Sequence, residues 1–243
     1  MKKILNLVLF SLFLFPTSLL AGPPYDTDDP VPVDFHHWEF YCSSVGFVNE
    51  NTVVSTAPHI EVNYGPFHNV QLHIITPMSY VTDKEKSAYG YGDTELGMKF
   101  RFVNRDSGRF QIGVFPLIEL PTGNANKDLG SGNTSIYIPI WIQKAIGKWT
   151  SYGGGGYWIN PGKGNQNYEF VGCQTQYQII KSTSIGCEAY YVTASQIGGK
   201  GDFRFRLGSV IDFNDYHHLL FSIGRSIIGD TNLQWYLGYQ LTI

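Results

Sequence analysis

The sequence predicts an all-β fold, namely a closed antiparallel transmembrane β-barrel of about twelve strands. About twelve segments between residues 35 and 243 alternate apolar and polar residues, the connections alternate between tight turns and longer loops, and the chain ends on an alternating apolar strand. A period of two is typical of a β-strand with two different faces. Short turns at one end and longer loops at the other are typical of outer-membrane barrels, whereas a soluble sandwich has no reason to sort its connections this way.

The N-terminal residues predict an export signal. Lys2 and Lys3 precede an apolar run from 4 to 15, and the small residues Ala21-Gly22 offer a cleavage site. The run is shorter than the ~20 apolar residues that a spanning helix requires, so an uncleaved anchor is the less favoured alternative. We expect residues 1–21 to be a cleaved signal peptide and the mature protein to reside in the bacterial outer membrane.

Residues 22–34, with the sequence GPPYDTDDPVPVD, are rich in proline and aspartate and show no periodicity. Such composition predicts irregular structure. We expect an extended periplasmic lead segment, followed by a barrel over 35–243. Whether this Asp-rich segment plugs the lumen stays open. Asp26, Asp28 and Asp29 offer ligands to a cation, but solvated linker charges are the favoured interpretation.

The composition argues against several classes of protein. The formal net charge is −3, or −5 without Lys2 and Lys3, so no basic face for nucleic acid is expected. Cys42, Cys173 and Cys187 are too few for a disulfide framework and lack the spacing of a zinc site. The last two share the lipid-facing parity on adjacent predicted strands, so a disulfide between them stays open. We predict no metal site and no cofactor.

The predicted strands suit the ~9–11 residues of a transmembrane strand, with some extension beyond the bilayer. They are 35–48, 52–64, 67–81, 91–104, 108–121, 133–145, 148–160, 166–180, 183–196, 202–213, 216–227 and 231–243. Tight turns are predicted at Gly65-Pro66, Arg105 to Ser107, Ile146-Gly147, Lys181-Ser182 and Asn214-Asp215, and longer loops at 82–90, 124–132, 161–165 and 197–201. The short connections near Asn49 and Gly229 are exceptions on the loop side.

Charges decide which face of the sheet meets lipid. In the stretch YGYGDTELGMKFRF (89–102), apolar residues at 96, 98, 100 and 102 alternate with Lys99 and Arg101. A lysine or arginine that faces lipid near the membrane midplane costs roughly 2–4 kcal/mol. The apolar parity therefore faces lipid and the charges face the lumen. The same argument places Arg204 and Arg206 in the lumen.

The terminal segment LQWYLGYQLTI (233–243) carries one apolar and one mostly polar face. It resembles the signal that the barrel-assembly machinery reads, so we expect this machinery and outer-membrane lipids as partners. Trp38, Trp149 and Trp158 lie near predicted strand ends. These positions suit the aromatic girdles of a membrane barrel.

Six charged residues are candidates for the lumen or its constriction. They are Glu95, Lys99, Arg101, Glu119, Arg204 and Arg206. In a ring of twelve, the tenth strand lies almost opposite the fourth and fifth. Glu95 and Glu119 are therefore predicted to face Arg204 and Arg206 across a narrow passage, with a transverse field that orients solutes. The alternative is that these residues pair across the lumen and fill it.

Several stretches carry a resemblance to a known family. HWEFY (37–41), YGYGDTELGMKFRF, FPLIELPTGN (115–124), TSYGGGGYWINPG (150–162) and HHLLFSIGR (217–225) resemble a family of proteobacterial outer-membrane proteins, and the opening from residue 22 is similar too. Members are described as transporters or as proteins of a meta-cleavage pathway of phenol degradation. The resemblance implies a β-barrel and a transport role, without a defined solute and without assigned functional residues.

Four consecutive glycines, Gly153 to Gly156, lie inside a predicted strand, where glycine weakens pairing. A bend that lets the barrel close around crowded aromatic residues is the favoured interpretation. A close approach of solute, or a lateral opening in the wall, is the alternative.

The sequence therefore predicts a channel or transporter for small solutes, with small aromatic or organic compounds among the candidates. Eight strands leave a filled interior and sixteen or more a wide pore, so twelve suit a narrow one. A structural or adhesive barrel without transport stays open. A phospholipase is less favoured, because His217, His218 and Ser222 share a strand but no nucleophile motif surrounds Ser222. We predict no enzyme activity.

Overall fold

The computed structural model describes residues 22–243, so the predicted signal peptide at 1–21 lies outside the described residues. The described chain forms one antiparallel sheet of fourteen strand segments. They are β1 (Trp38–Val48), β2 (Val53–Phe67), β3 (Val70–Thr82), β4 (Ser87–Tyr91), β5 (Thr94–Arg105), β6 (Phe110–Val114), β7 (Leu117–Leu120), β8 (Ser135–Ile146), β9 (Trp149–Ile159), β10 (Tyr168–Ile180), β11 (Thr183–Val192), β12 (Asp202–Asp212), β13 (His217–Ile228) and β14 (Leu233–Thr242). Short 3-10 turns lie at Asp106–Gly108 and Ala125–Lys127. Across 22–243, no helix has the length and apolar character needed to cross a membrane.

The sheet closes into a barrel through β1 and β14, which pair from Glu39 opposite Thr242 to Val48 opposite Leu233. We call each position around the barrel wall a stave, and two of the staves consist of two strand segments instead of one continuous strand. β4 and β5 both pair with β3 and form one stave, while β6 and β7 both lie between β5 and β8 and form the next. The fourteen segments over 22–243 therefore make twelve staves, which confirms the predicted closed barrel.

The connections are sorted as predicted, with tight turns at one end of the barrel (the turn end) and longer loops at the other (the loop end). One predicted turn, Gly65-Pro66, is wrong, because β2 continues to Phe67 and the turn follows it. A Cβ on Gly65 would lie 2.2 Å from the carbonyl oxygen of Asp34. The glycine thus marks a close approach of another part of the chain to the wall and not a reversal of the strand.

The two faces of the wall are those that the charges predict. In β5, Met98 is 47% exposed on the outside, whereas Lys99 beside it is 3% exposed. In β8, Ile138 and Ile140 are exposed and Trp141 is 2% exposed. Apolar side chains alternate outward because only they meet lipid without a desolvation cost.

The lead segment 22–34 lies inside the barrel, so the favoured interpretation of its aspartates as solvated linker charges is wrong. Pro24, Thr27, Asp29 and Pro30 are all less than 2% exposed. Near one end of the segment, Ser222 Oγ on β13 donates a hydrogen bond to the carbonyl oxygen of Pro24 (2.6 Å). Near the other end, the Val33 N–H donates to Gln71 Oε1 on β3 (3.0 Å). The division into lead segment and barrel remains a prediction.

Candidate functional site

Ion pairs hold the lead segment to opposite walls of the lumen. Asp28 Oδ1 lies 2.9 Å from Lys99 Nζ, and Asp29 Oδ2 lies 3.5 Å from the same atom. Asp26 Oδ1 lies 2.9 Å from Arg206 Nη1. Lys99 is on the fourth stave and Arg206 on the tenth, which are diametrically opposite in a ring of twelve. The lead segment therefore crosses the lumen as a strut.

The two anchors differ in their exposure to water. The side chains of Lys99 and Asp29 are 4% and 0% exposed, so removing Lys99 leaves the buried carboxylate of Asp29 without its cation. Such a loss costs roughly 3–5 kcal/mol in a folded protein. Asp26 is 41% exposed, although its partner Arg206 is buried. Solvent screens that pair, so its contribution is smaller.

The wall is shaped to receive the lead segment. Glycines replace side chains where the segment touches it: Cβ atoms on Gly172, Gly186 and Gly208 would come within 3 Å of the side chains of Thr27 or Tyr25. The backbone N–H of Thr27 also donates a short hydrogen bond to a carboxylate oxygen of Glu188 on β11. Because a close-packed interior has no spare room for added side chains, these small residues create the path of the strut.

The acidic pair of the predicted constriction is present. Glu95 and Glu119 stand directly opposite each other on β5 and β7. Glu95 Oε1 lies 2.9 Å from His73 Nε2, and Ser135 Oγ donates to Glu119 Oε2 at 2.7 Å. Each carboxylate thus has a partner on its own side of the lumen.

The other predicted lumen residues also have local partners. Arg204 contacts Asp202 through two nitrogens at 2.8 Å, and Arg101 Nε donates to Asn69 Oδ1 at 2.9 Å. The lead segment occupies the space between Lys99 and Arg206. The structure therefore differs from both predicted alternatives. The two walls neither face each other across an open passage nor pair directly, because aspartates of the lead segment pair with Lys99 and Arg206.

Aromatic side chains form a second feature of the lumen, on β8 to β11. Trp158 stacks between Tyr137 and Tyr168, with ring centroids 4.7 and 5.6 Å apart. Next to this stack, Phe170 lies 5.3 Å from Tyr190 and 6.1 Å from Trp141. We call these six residues the aromatic wall. Trp158 was predicted in a lipid-facing girdle and is instead part of this wall.

The glycine run in β9 fits against the aromatic wall. A Cβ on Gly154 would lie 2.0 Å from the carbonyl oxygen of Ile140 and 2.9 Å from the ring of Trp141. Cβ atoms on Gly155 and Gly156 would also meet backbone atoms of the neighbouring strands, at 2.3 and 2.5 Å. The favoured interpretation, closure of the barrel around crowded aromatic residues, agrees with this geometry.

A cavity of about 330 Å³ lies at the loop end of the lumen. Its lining includes Glu95, Glu119 and Leu129, and Leu129 is a 5% exposed residue of the loop 121–134 that folds inward. The Asp93 carboxylate fixes this loop by accepting hydrogen bonds from the backbone N–H groups of Gly123 (2.9 Å) and Ser131 (2.6 Å). The cavity is thus a vestibule with acidic and apolar sides.

Two loops are joined at the same end of the barrel. Lys86 Nζ lies 2.6 Å from Asp128 Oδ2, and this hydrogen-bonded pair raises the pKa of Lys86. Backbone N–H groups of Glu85 and Lys86 lower the pKa of Asp83. Both charges are therefore kept at neutral pH, and the contact links the loop 83–86 to the loop that covers the vestibule.

The residues considered for a phospholipase site do not come together. His218 Nδ1 is 2.8 Å from Asp212, and Ser222 Oγ is bound to the lead segment. His218 and Ser222 are four positions apart on β13, which separates them by about 13 Å along the strand. His217 is bonded to Tyr239 instead. The nucleophile–base contact that this chemistry requires is missing from these residues.

The cysteines Cys42, Cys173 and Cys187 are free. In the register of β10 and β11, Cys173 is opposite Ala189 and Cys187 is opposite Thr175, so the two are offset. They line a crevice of about 500 Å³ in the wall, together with Gly153 and Phe205. The disulfide that the sequence left open is not formed.

The described chain resembles solved outer-membrane barrels in fold. No protein-family model matches the sequence, and no curated protein matches it. The KdgM porin superposes with a TM-score of 0.55 at 10% identity, over 84% of this chain and 98% of that one. The NanC porin gives 0.53 at 8% identity, over 85% and 97%. The translocator domain of the autotransporter NalP from Neisseria meningitidis gives 0.53 at 11% identity, over 86% and 88%. At such low identity, and with both porins and a translocator among them, these structures establish that the chain has the porin-like outer-membrane β-barrel fold.

Proposed function

We propose that the protein is an outer-membrane channel that passes small solutes through the barrel lumen. The observation that carries the proposal is the vestibule of about 330 Å³ at the loop end, which is lined by Glu95, Glu119 and apolar side chains. A barrel that serves only as a membrane anchor has no need of a shaped entrance. The fold that the chain shares with the KdgM and NanC porins supports the same function.

The aromatic wall favours organic solutes. Trp158 and Tyr168 are partly exposed and Tyr137 is buried against Trp158, and such stacked rings provide apolar contact with a defined geometry. Pockets that combine aromatic sides with a few polar groups are typical of small-molecule sites. Members of the family that the sequence resembles are described in part as proteins of phenol degradation, which agrees with aromatic solutes but defines none. A structure of the KdgM porin in complex with disordered oligogalacturonate shows that a barrel of this fold accepts an organic solute.

A structural barrel without transport is the second candidate. The observation that favours it is the lead segment itself, which crosses the lumen between Lys99 and Arg206. A permanent strut would leave the barrel closed, whereas an exchangeable strut would regulate it.

Flux through proteoliposomes tests the channel. We expect purified protein to admit phenylalanine faster than leucine, two zwitterions that differ mainly in the aromatic ring. Trp158→Ala should remove this preference, because it breaks the central stack of the aromatic wall. Trp149→Ala is the matched control, since Trp149 is 53% exposed at the start of the same strand.

Planar-bilayer recordings separate the two candidates. A channel gives stepwise conductance in the wild type or in a variant with weakened lead contacts. Silence of both, in protein whose gel mobility shows a folded barrel, would favour the structural candidate. An unchanged phenylalanine preference in Trp158→Ala would remove the role of the aromatic wall.

A further inference from the structure

We propose that Lys99 and Arg206 form a binding site for an anionic solute with two or more carboxylates, and that the lead segment occupies this site as an internal competitor. The inference rests on the proposed channel function, since it assigns a solute class to the lumen. Its basis is the contact set of Asp26, Asp28 and Asp29, whose carboxylates stand where those of a solute would bind.

The two cations need an anion. The side chains of Lys99 and Arg206 are only 4% and 3% exposed. A buried charge without a partner is costly, so a buried cation is retained only where an acid meets it. Within residues 22–243, both ion pairs of Lys99 are made with the lead segment. Arg206 has one wall carboxylate nearby, Glu188 at 3.9 Å, but its close contact is Asp26 at 2.9 Å.

The spacing of the acids defines the solute. Asp26 and Asp28 are two residues apart, so their Cα atoms are separated by no more than about 7 Å in an extended chain. The two carboxylates reach Arg206 and Lys99 on opposite walls from this short segment. A solute with two or three carboxylates spread over a similar length matches this arrangement. The planar guanidinium of Arg206 favours a carboxylate in particular.

The lead segment can leave without opening the barrel. It contributes no strand to the sheet, and its links to the wall are ion pairs and single hydrogen bonds such as that from Ser222 to Pro24. Within the described residues, its backbone continues into β1 at the turn end, where His36 N–H donates to the Gly65 carbonyl oxygen (2.8 Å). Barrel pairing through β1 and β14 is independent of these contacts.

Calorimetric titration with citrate, on full-length folded protein in detergent micelles, tests the site. The variant Asp26→Asn/Asp28→Asn/Asp29→Asn should bind citrate about tenfold or more tightly than the wild type, because a tethered competitor acts at roughly millimolar effective concentration. The matched control, with the same change in net charge, replaces aspartates of the connections: Asp106→Asn, Asp215→Asn and Asp230→Asn. It should bind citrate as the wild type does.

Adding Lys99→Gln and Arg206→Gln to the variant with the three Asp→Asn changes should abolish its tighter binding of citrate. Citrate binding that survives these two changes would overturn the proposal, as would equal binding by the wild type and the lead variant. Acetate and putrescine are the comparison probes, and putrescine binding as tight as that of citrate would also overturn it. Binding is measured without conduction, so a silent but citrate-binding barrel would refute the channel and leave this site standing.

A reversible cross-link gives a second test that keeps the three aspartates. A Cβ on Gly172 would lie 2.2 Å from Thr27 Oγ1, so Thr27→Cys/Gly172→Cys brings two sulfur atoms together. Cys42, Cys173 and Cys187 are replaced by alanine in this background. Oxidation should lock the lead segment and abolish citrate binding, and reduction should restore it. Citrate binding that is the same in both states would show that the lead segment does not compete.

Discussion

The orientation of the wall is tested most directly by placing one charge at two depths on one strand. Leu207 is the sixth of eleven residues in β12 and is 54% exposed on the lipid side. Ile211 faces the same side, four residues nearer the turn end. Strands advance about 3.3 Å per residue, so the two side chains are about 13 Å apart along the strand. Because strands tilt by about 40° from the membrane normal, this separation corresponds to a difference in membrane depth of about 10 Å. That is close to half the height of the barrel's apolar outer band, which is about 25 Å.

The expected costs follow from these depths. Leu207→Arg should lower the free energy of unfolding by about 2–4 kcal/mol, whereas Ile211→Arg should lower it by about 0–1 kcal/mol. Denaturant titration in lipid vesicles, followed by tryptophan fluorescence, measures both. Equal losses at the two positions, or no loss at Leu207, would refute the assignment of this face to lipid.

Three further outcomes are expected. Intact-mass spectrometry of outer-membrane fractions should find a mature chain that begins at or near Gly22, and a retained segment 1–21 would contradict the export prediction. Deleting 237–243 removes most of the partner of β1 and leaves backbone groups that lipid cannot satisfy, so the gel-mobility shift between unboiled and boiled protein should be lost. Lys99→Gln should destabilise the folded barrel by about 3–5 kcal/mol in denaturant titration, because it leaves buried acids unpaired. The exposed loop residue Lys127 provides the control, and an equal effect of Lys127→Gln would show that the loss is not specific to the lumen.

The barrel could be predicted from the sequence because lipid penalises charge so strongly. Lys99 and Arg101 alternate with apolar residues, and only one parity is compatible with a membrane. The same alternation also shows why the prediction of Trp149 and Trp158 as members of lipid-facing girdles was wrong for Trp158. Trp149 and Trp158 are nine residues apart on one strand, so they must face opposite sides. Their positions near strand ends suggested a common role that their parity forbids.

The position of the lead segment could not be predicted in this way. Proline and aspartate are typical of solvated linkers, and the partners of Asp28 and Asp26 are separated from them by 71 and 180 positions in sequence. Only closure of the barrel brings Lys99 and Arg206 to facing walls. The composition of a segment indicates only whether its residues favour water. Whether its carboxylates can be buried depends on cations that distant strands supply.

The two ion-pair contacts of the lead segment differ in their exposure to solvent, which suggests an order in which they would break. Asp29 is 0% exposed against Lys99, while Asp26 is 41% exposed against Arg206. Water and ions weaken an exposed pair far more than a buried one, because screening acts through solvent. If the segment exchanges with an anion as proposed, we expect the anion to displace Asp26 from Arg206 before it displaces Asp28 and Asp29 from Lys99. In a mature chain that begins near Gly22, as the sequence predicts, exchange that starts at Asp26 would free the half of the segment farthest from β1 and uncover Arg206 before Lys99.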